Sequence, residues 1–165
     1  ESIDNVLQRG EVPLFVMLDG ITDVRNIGAI ARTALCCGAQ IMIIPDKGIG
    51  AINEEAMKSS AGALQRILVC RVNSLLKAID TLHLNDIKVF TAEMKSSLKV
   101  FDADFKHPAC IVMGSEDKGI QPFITKAADF QLTIPMQGSF DSFNVGIATG
   151  IILFEASKQR MGFTS

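Results

Sequence analysis

Short, unbroken apolar runs separated by amphipathic stretches constrain this chain more than any other feature. After Pro13 the runs LFVML (14–18), IMII (41–44), RILVC (66–70), KVF (88–90), ACIVM (109–113) and FQLTI (130–134) recur along the sequence. Each is continuous rather than alternating, which predicts strands covered on both faces. Between them NIGAIARTALCCG sets Ile27, Ile30, Ala31, Ala34 and Leu35 at helical spacing, with Gly38 as a stop. SLLKAIDTLH and FITKAAD read as further helices. The last stretch, NVGIATGIILFEASKQR, is apolar almost all round, as a buried or interface helix is. Strands alternating with helices predict an α/β fold: a mostly parallel sheet flanked by helices. Ligands in such folds sit beyond the C-terminal ends of the strands. The residues after Leu18, Met113 and Ile134 therefore become the places to look.

Length and composition narrow the class. A chain of 165 residues suits one domain. It has no apolar run long enough to cross a bilayer and no signal-peptide pattern. A net charge of −2 excludes a strongly basic surface but not a local basic patch. With no Trp, no Tyr and ten Phe, stacking platforms for single strands are not expected. Cys36, Cys37, Cys70 and Cys110 contain no CxxC pair and read as buried small hydrophobes in a reducing cytoplasm. His83 and His107 are isolated and read as ordinary surface or turn residues, so no metal site is expected. Residues 1–12 form a polar lead-in to Pro13. They read as a linker, or the tail of a missing domain, ahead of one domain over 13–165. There is no GxGxxG after the first strand, GIG (48–50) stands in the wrong context, and no P-loop pattern occurs.

Three strand-end loops carry polar residues. In LDGITDVRNIGAIAR (18–32), Asn26 is a good N-cap and Gly28 bares the backbone one turn before Arg32. Arg25 and Arg32 together can contact a phosphate, or stand as solvated charges on a capped helix. In MGSEDKGIQPF (113–123), Gly114 and Gly119 bracket Ser115, Glu116, Asp117 and Lys118 in a tight loop with exposed backbone donors. Pro122 opens the next helix. In IPMQGSFDSFNVGIATG (134–150), Ser142 and Asn144 lead into the final helix and can cap it or bind a ligand.

Taken in order, these loops resemble the SpoU-type RNA ribose 2′-O-methyltransferases of the SPOUT superfamily. The resemblance rests on Asn26 followed six residues later by Arg32. It rests also on Gly114-x-Glu116-x-x-Gly119, and on Ile134-Pro135-Met136-x-Gly138 followed by Ser142-x-Asn144-Val145. It covers residues from about 14 to 160. It implies a deep trefoil knot at the C-terminal end of the sheet, which default topology rules would reject. It also implies a homodimer through the knot region and the final helix.

The implied cofactor is S-adenosylmethionine, held around Gly114, Ser115, Glu116, Ile134, Pro135, Met136, Ser142 and Asn144. The implied catalytic group is Arg32 with Asn26, Glu116 and Asn144, and the implied substrate contacts are Arg25, Gly28 and Arg32. Arg32 would stabilise charge rather than take a proton, since a guanidinium holds its own. The tail ATGIILFEASKQR resembles members that methylate guanosine in large-subunit ribosomal RNA; transfer RNA is the rival substrate. The chain departs from the common Ser-Leu-Asn-Val-Ser pattern with Phe143 and Gly146. Gly146 lacks a hydroxyl, which leaves a catalytically idle RNA-binding module as an alternative. A nucleotide-binding oxidoreductase lacks its glycine fingerprint.

Overall fold

The run at 14–18 becomes strand β1, Leu14–Asp19, and every residue of it is buried. Successive side chains of a strand point to opposite faces. Leu14, Val16 and Leu18 enter one core, and Phe15 and Met17 enter another on the far side. From Leu14 to Leu18, with a core on each face, no position is left for a polar residue, which is why that run is unbroken. The computed structural model describes residues 1–47, 60–139 and 142–162.

The elements follow as α1 (Ser2–Gln8), β1, α2 (Val24–Cys36), β2 (Ile41–Pro45), α3 (Ala63–Arg66), β3 (Leu68–Val72), α4 (Leu75–Leu84), β4 (Lys88–Ala92), β5 (Leu98–Lys99), β6 (Ala109–Gly114), α5 (Pro122–Ala127), β7 (Phe130–Thr133) and α6 (Val145–Arg160). The seven strands form one sheet in the order β3-β2-β1-β6-β4-β7-β5, and every pairing is parallel. Helices α2, α3 and α6 cover one face through residues such as Ile30, Leu64 and Ile152. Helices α1, α4 and α5 cover the other through Val6, Ile79 and Ile124. The chain winds outward from β1 to β3, then lays β4 on the far side of β6. The winding therefore reverses between β1 and β6, the position where open parallel sheets bind ligands.

Several expectations are corrected. The cap of α2 is Asp23, whose side chain accepts from the Arg25 amide; Asn26 lies inside the helix. Both residue types cap well, and the helix starts at the earlier one. The strand expected at 66–70 is shifted to β3, because Arg66 closes α3 and Leu68 pairs with Ile41. As an edge strand, β3 is partly exposed rather than covered on both faces. The polar lead-in holds α1, which has one buried anchor, Val6. Cys36 is exposed, Cys37 and Cys70 are half-buried, and only Cys110 is fully buried. His83 is a partly exposed residue in the last turn of α4, as expected of the surface, but it is not isolated: its Nε2 stands 2.8 Å from Asp129 Oδ2. The GIG at 48–50 lies outside the described residues.

The end of α6 is clasped to the N-terminal ends of β1 and β6. Arg160 donates to the carbonyls of Val12, Pro13, Phe105 and His107 at 2.7–2.9 Å. Gln159 accepts from the Phe105 amide at 2.7 Å and donates to Ala103 O at 2.9 Å. Burial pushes the Arg160 pKa down to about 10. Arg160→Ala leaves four carbonyls without this donor and is expected to cost roughly 2–4 kcal/mol. By calorimetry that is a fall in Tm of about 4–16 °C. Arg160→Lys will not restore it, because one ammonium cannot reach two separate segments as a planar fork does.

Candidate active site

Beyond β6 the chain turns back sharply. A Cβ built on Gly114 would lie 2.5–2.7 Å from the backbone of Gly119 and Ile120, so only glycine fits. The turn is closed by a bridge between Ser115 and Gly119, with the Gly119 amide donating to Ser115 O at 2.8 Å. Gly119 has φ +68°, a conformation that favours glycine. This closure raises Glu116, Asp117 and Lys118 above the ends of the strands.

Glu116 reaches the start of α6. Its Oε1 accepts from the Val145 amide at 3.0 Å and from Asn144 Nδ2 at 3.1 Å. Asn144 caps α6, with Oδ1 accepting from the amides of Gly146 and Ile147 at 2.8 and 3.2 Å. Asn144 Nδ2 also donates to Asn26 Oδ1 at 3.4 Å. Small residues allow this approach: Cβ positions built on Gly146 and Gly150 lie 3.5 Å from Ala29 and 3.4 Å from Thr33 of α2. Three residues more than a hundred positions apart at the extremes thus form one network. Capping and site-building prove to be the same act for Asn144.

Beside the network lies a cavity of about 520 Å³, the size of an ordinary small-molecule site. Its walls are residues 92–95 at the end of β4, 113–120 at the end of β6, Thr133, Ile134 and Met136 at the end of β7, and Ser142, Phe143, Val145 and Ala148 around the start of α6. Of the expected cofactor residues, Gly114, Ser115, Glu116, Ile134, Met136 and Ser142 line it. Pro135 is not part of its wall, and Asn144 is linked to it through Glu116.

The residues expected to meet the substrate stand apart from the cavity, on α2. Gly28 is buried, while Arg25 and Arg32 are exposed and share a stripe two turns apart. Arg32 makes no side-chain hydrogen bond or ion pair among the described residues. Glu93 and Lys95 were missed as wall residues. Glu93 is held by the Thr125 hydroxyl, which donates to its Oε2 at 3.0 Å. Ending the 88–90 run at Phe90 hides them; the strand-end rule applied after Ala92 points at Glu93.

A family model described as the SpoU rRNA Methylase family matches residues 13–154. The chain is 35% identical to a 23S rRNA (guanosine-2′-O-)-methyltransferase RlmB of Pseudomonas aeruginosa, over 96% of this chain and 64% of that protein. It is equally 35% identical to an uncharacterized tRNA/rRNA methyltransferase of Synechocystis, over 96% of this chain and 41% of that one. The chain therefore spans between about two fifths and two thirds of the length of these relatives. Among solved structures it superposes on the SpoU methyltransferase AviRb from Streptomyces viridochromogenes in complex with AdoMet. That match has a TM-score of 0.86 and 29% identity, covering 92% of this chain and 62% of that one. It also superposes on a TrmH/SpoU tRNA modifying enzyme of A. aeolicus, with a TM-score of 0.83 and 27% identity, covering 97% of this chain and 85% of that one.

Proposed function

The chain belongs to the SpoU rRNA Methylase family, and from that premise we propose that it methylates a ribose 2′-hydroxyl of RNA. The methyl donor is S-adenosylmethionine and the target is a guanosine of 23S rRNA. The observation that carries this reading is the meeting of the chain ends after β4, β6 and β7 with the start of α6 around one cavity, beside the Glu116–Asn144–Asn26 network that ties it to α2.

The cavity fits the cofactor. Its size suits a nucleoside with an amino-acid tail. Gly114 lets the 114–120 turn close into its wall, and Ile134, Met136 and Phe143 offer apolar surface. The residues that would hold the cofactor are 114–116, Ile134, Met136 and Ser142. When bound, S-adenosylmethionine supplies an electrophilic methyl group with a neutral thioether as leaving group. The chain contributes position and charge. Glu116 and Asn26 hold Asn144, and through it the start of α6, against the cavity. Arg32, exposed and without a side-chain partner among the described residues, is available to stabilise negative charge developing on the ribose oxygen. Arg25, on the same stripe, binds a neighbouring phosphate. Gly146 donates its own amide to Asn144, so the network forms without the serine hydroxyl common in the family.

Calorimetric titration with S-adenosylhomocysteine is expected to show saturable binding. Transfer to 23S rRNA, read by nucleoside mass spectrometry, is expected to give 2′-O-methylguanosine. Label appearing only in transfer RNA would reassign the substrate, and RNA binding without transfer would mark an idle module. Within this frame Glu116→Gln keeps an oxygen for the Val145 amide and is expected to bind S-adenosylhomocysteine within about threefold of wild type. Glu116→Ala removes both links to α6 and is expected to weaken it by about tenfold or more.

The same reading carries a deep trefoil knot at the C-terminal end of the sheet. It also carries a homodimer through the knot region and α6, and a cytoplasmic site of action. The dimer is supported by the outer side of α6, where Ile147 and Phe154 are 58% and 60% exposed. No helix among the described residues is long and apolar enough to cross a membrane.

A further inference from the structure

Asp19 is the last residue of β1, and it is buried, only 3% exposed. A buried carboxylate is costly unless its oxygens are hydrogen-bonded. Both oxygens of Asp19 go to a single residue: Oδ2 accepts from the Gln121 amide at 2.8 Å, and Oδ1 accepts from Gln121 Nε2 at 2.7 Å. Asp19 forms no ion pair among the described residues. Gln121 closes the loop that lines the cavity and immediately precedes α5. The other end of that loop, Gly114, is the register partner of Asp19 in the sheet. One residue therefore pins both ends of the 114–121 loop, by its strand pairing at the start and by its side chain at the end. Gly20 follows at φ +75° and turns the chain toward α2, where Arg25 and Arg32 stand. Neither Asp19 nor Gln121 is part of the cavity wall.

We infer that Asp19 and Gln121 are positioning residues, a latch that holds the 114–120 loop in the shape that binds the cofactor. The assignment rests on the cofactor reading above. It acts through the loop, since neither Asp19 nor Gln121 lines the cavity. The chemistry of the pair makes it separable from a merely stabilising contact. In Asp19→Asn one oxygen still accepts the Gln121 amide. The Gln121 side chain turns over so that its oxygen accepts from the new amide. In Gln121→Glu two carboxylates face each other where a donor stood. In the double variant Asp19→Asn/Gln121→Glu a donor and an acceptor face each other again, with the charge moved across the pair.

The test is the affinity for S-adenosylhomocysteine across this set, with thermal melting alongside. Asp19→Asn is expected to stay within about threefold of wild type. Gln121→Glu at pH 8 is expected to bind about tenfold more weakly, and to recover as the pH falls and the carboxylate pair takes up a proton. The double variant is expected to return to within about threefold at pH 8. A Gln121→Glu variant that melts earlier but binds as wild type does, or a double variant as weak as the single, would overturn the latch. Amide hydrogen exchange of residues 115–120 without ligand reads the latch independently of the cofactor. Exchange faster in Gln121→Glu and slowed again in the double variant supports it; equal exchange in all variants overturns it. Wild-type protein that fails to bind S-adenosylhomocysteine, with the exchange pattern intact, would instead sink the cofactor reading and leave the latch standing.

Discussion

Arg32→Ala is expected to lower methyl transfer by about 10²–10³-fold, the usual effect of removing one charge-stabilising group from a reacting oxygen. The same variant is expected to bind S-adenosylhomocysteine within about twofold of wild type and to melt within about 0.5 kcal/mol of it. The separation follows from where Arg32 stands. It is exposed on α2, bonds to no other side chain among the described residues, and is no part of the cavity wall. Its loss removes no packing and no cofactor contact. Arg32→Lys keeps the charge but loses the planar fork, so it should recover only part of the rate. Arg25→Ala should raise KM for RNA with little change in kcat, as uniform binding does. Single-turnover transfer to bound RNA reads all three. Near-normal transfer by Arg32→Ala with RNA bound would exclude Arg32 from the chemistry.

The strands were legible because each central one has a core on both faces. No polar position interrupts β1, and one residue of β6 after another is buried. The places where the sequence misleads are those where local signals compete or a contact is remote. Asp23 and Asn26 are both good caps, and nothing local chooses between them. Helix α1 has one buried residue, too little for a periodic pattern. Strand β5 has two residues and stands only because β7 lies beside it. The loop motifs pointed to Asn26, Glu116 and Asn144 as one group, yet not to the bonds that join them. That depends on Gly146 and Gly150 letting α6 approach α2, an interhelical fact no single segment carries. Asp19 was invisible for the same reason. Its partner is 102 residues away, and a strand-end aspartate reads as the beginning of a turn.

Gly114→Ala should have the largest effect on the cofactor site. The added methyl carbon would lie 2.5 Å from Gly119 C, 2.6 Å from Ile120 N and 2.7 Å from Gly119 O. All three are backbone atoms, held by the Ser115–Gly119 bridge and by the Gln121 amide on Asp19. No side-chain rotation relieves such a contact, so the loop must open. Opening it carries Glu116 away from Val145 and Asn144 and moves residues 114–120 out of the cavity wall together. The expected result is a loss of S-adenosylhomocysteine affinity of about a hundredfold or more. Methyl transfer should fall at least as far, and stability by about 1–3 kcal/mol, the usual cost of overpacking. Gly138→Ala is the matched control, in the loop after β7. Its built Cβ meets nothing within 4 Å and its φ is not positive, so it should bind and melt as wild type does. Binding by Gly114→Ala as tight as the control's would mean that the loop does not shape the site. Loss in both variants would mean that any added methyl group in these loops is disruptive, and the specific role of Gly114 would fail. A loss confined to Gly114 ties the cavity to the closed 114–120 turn.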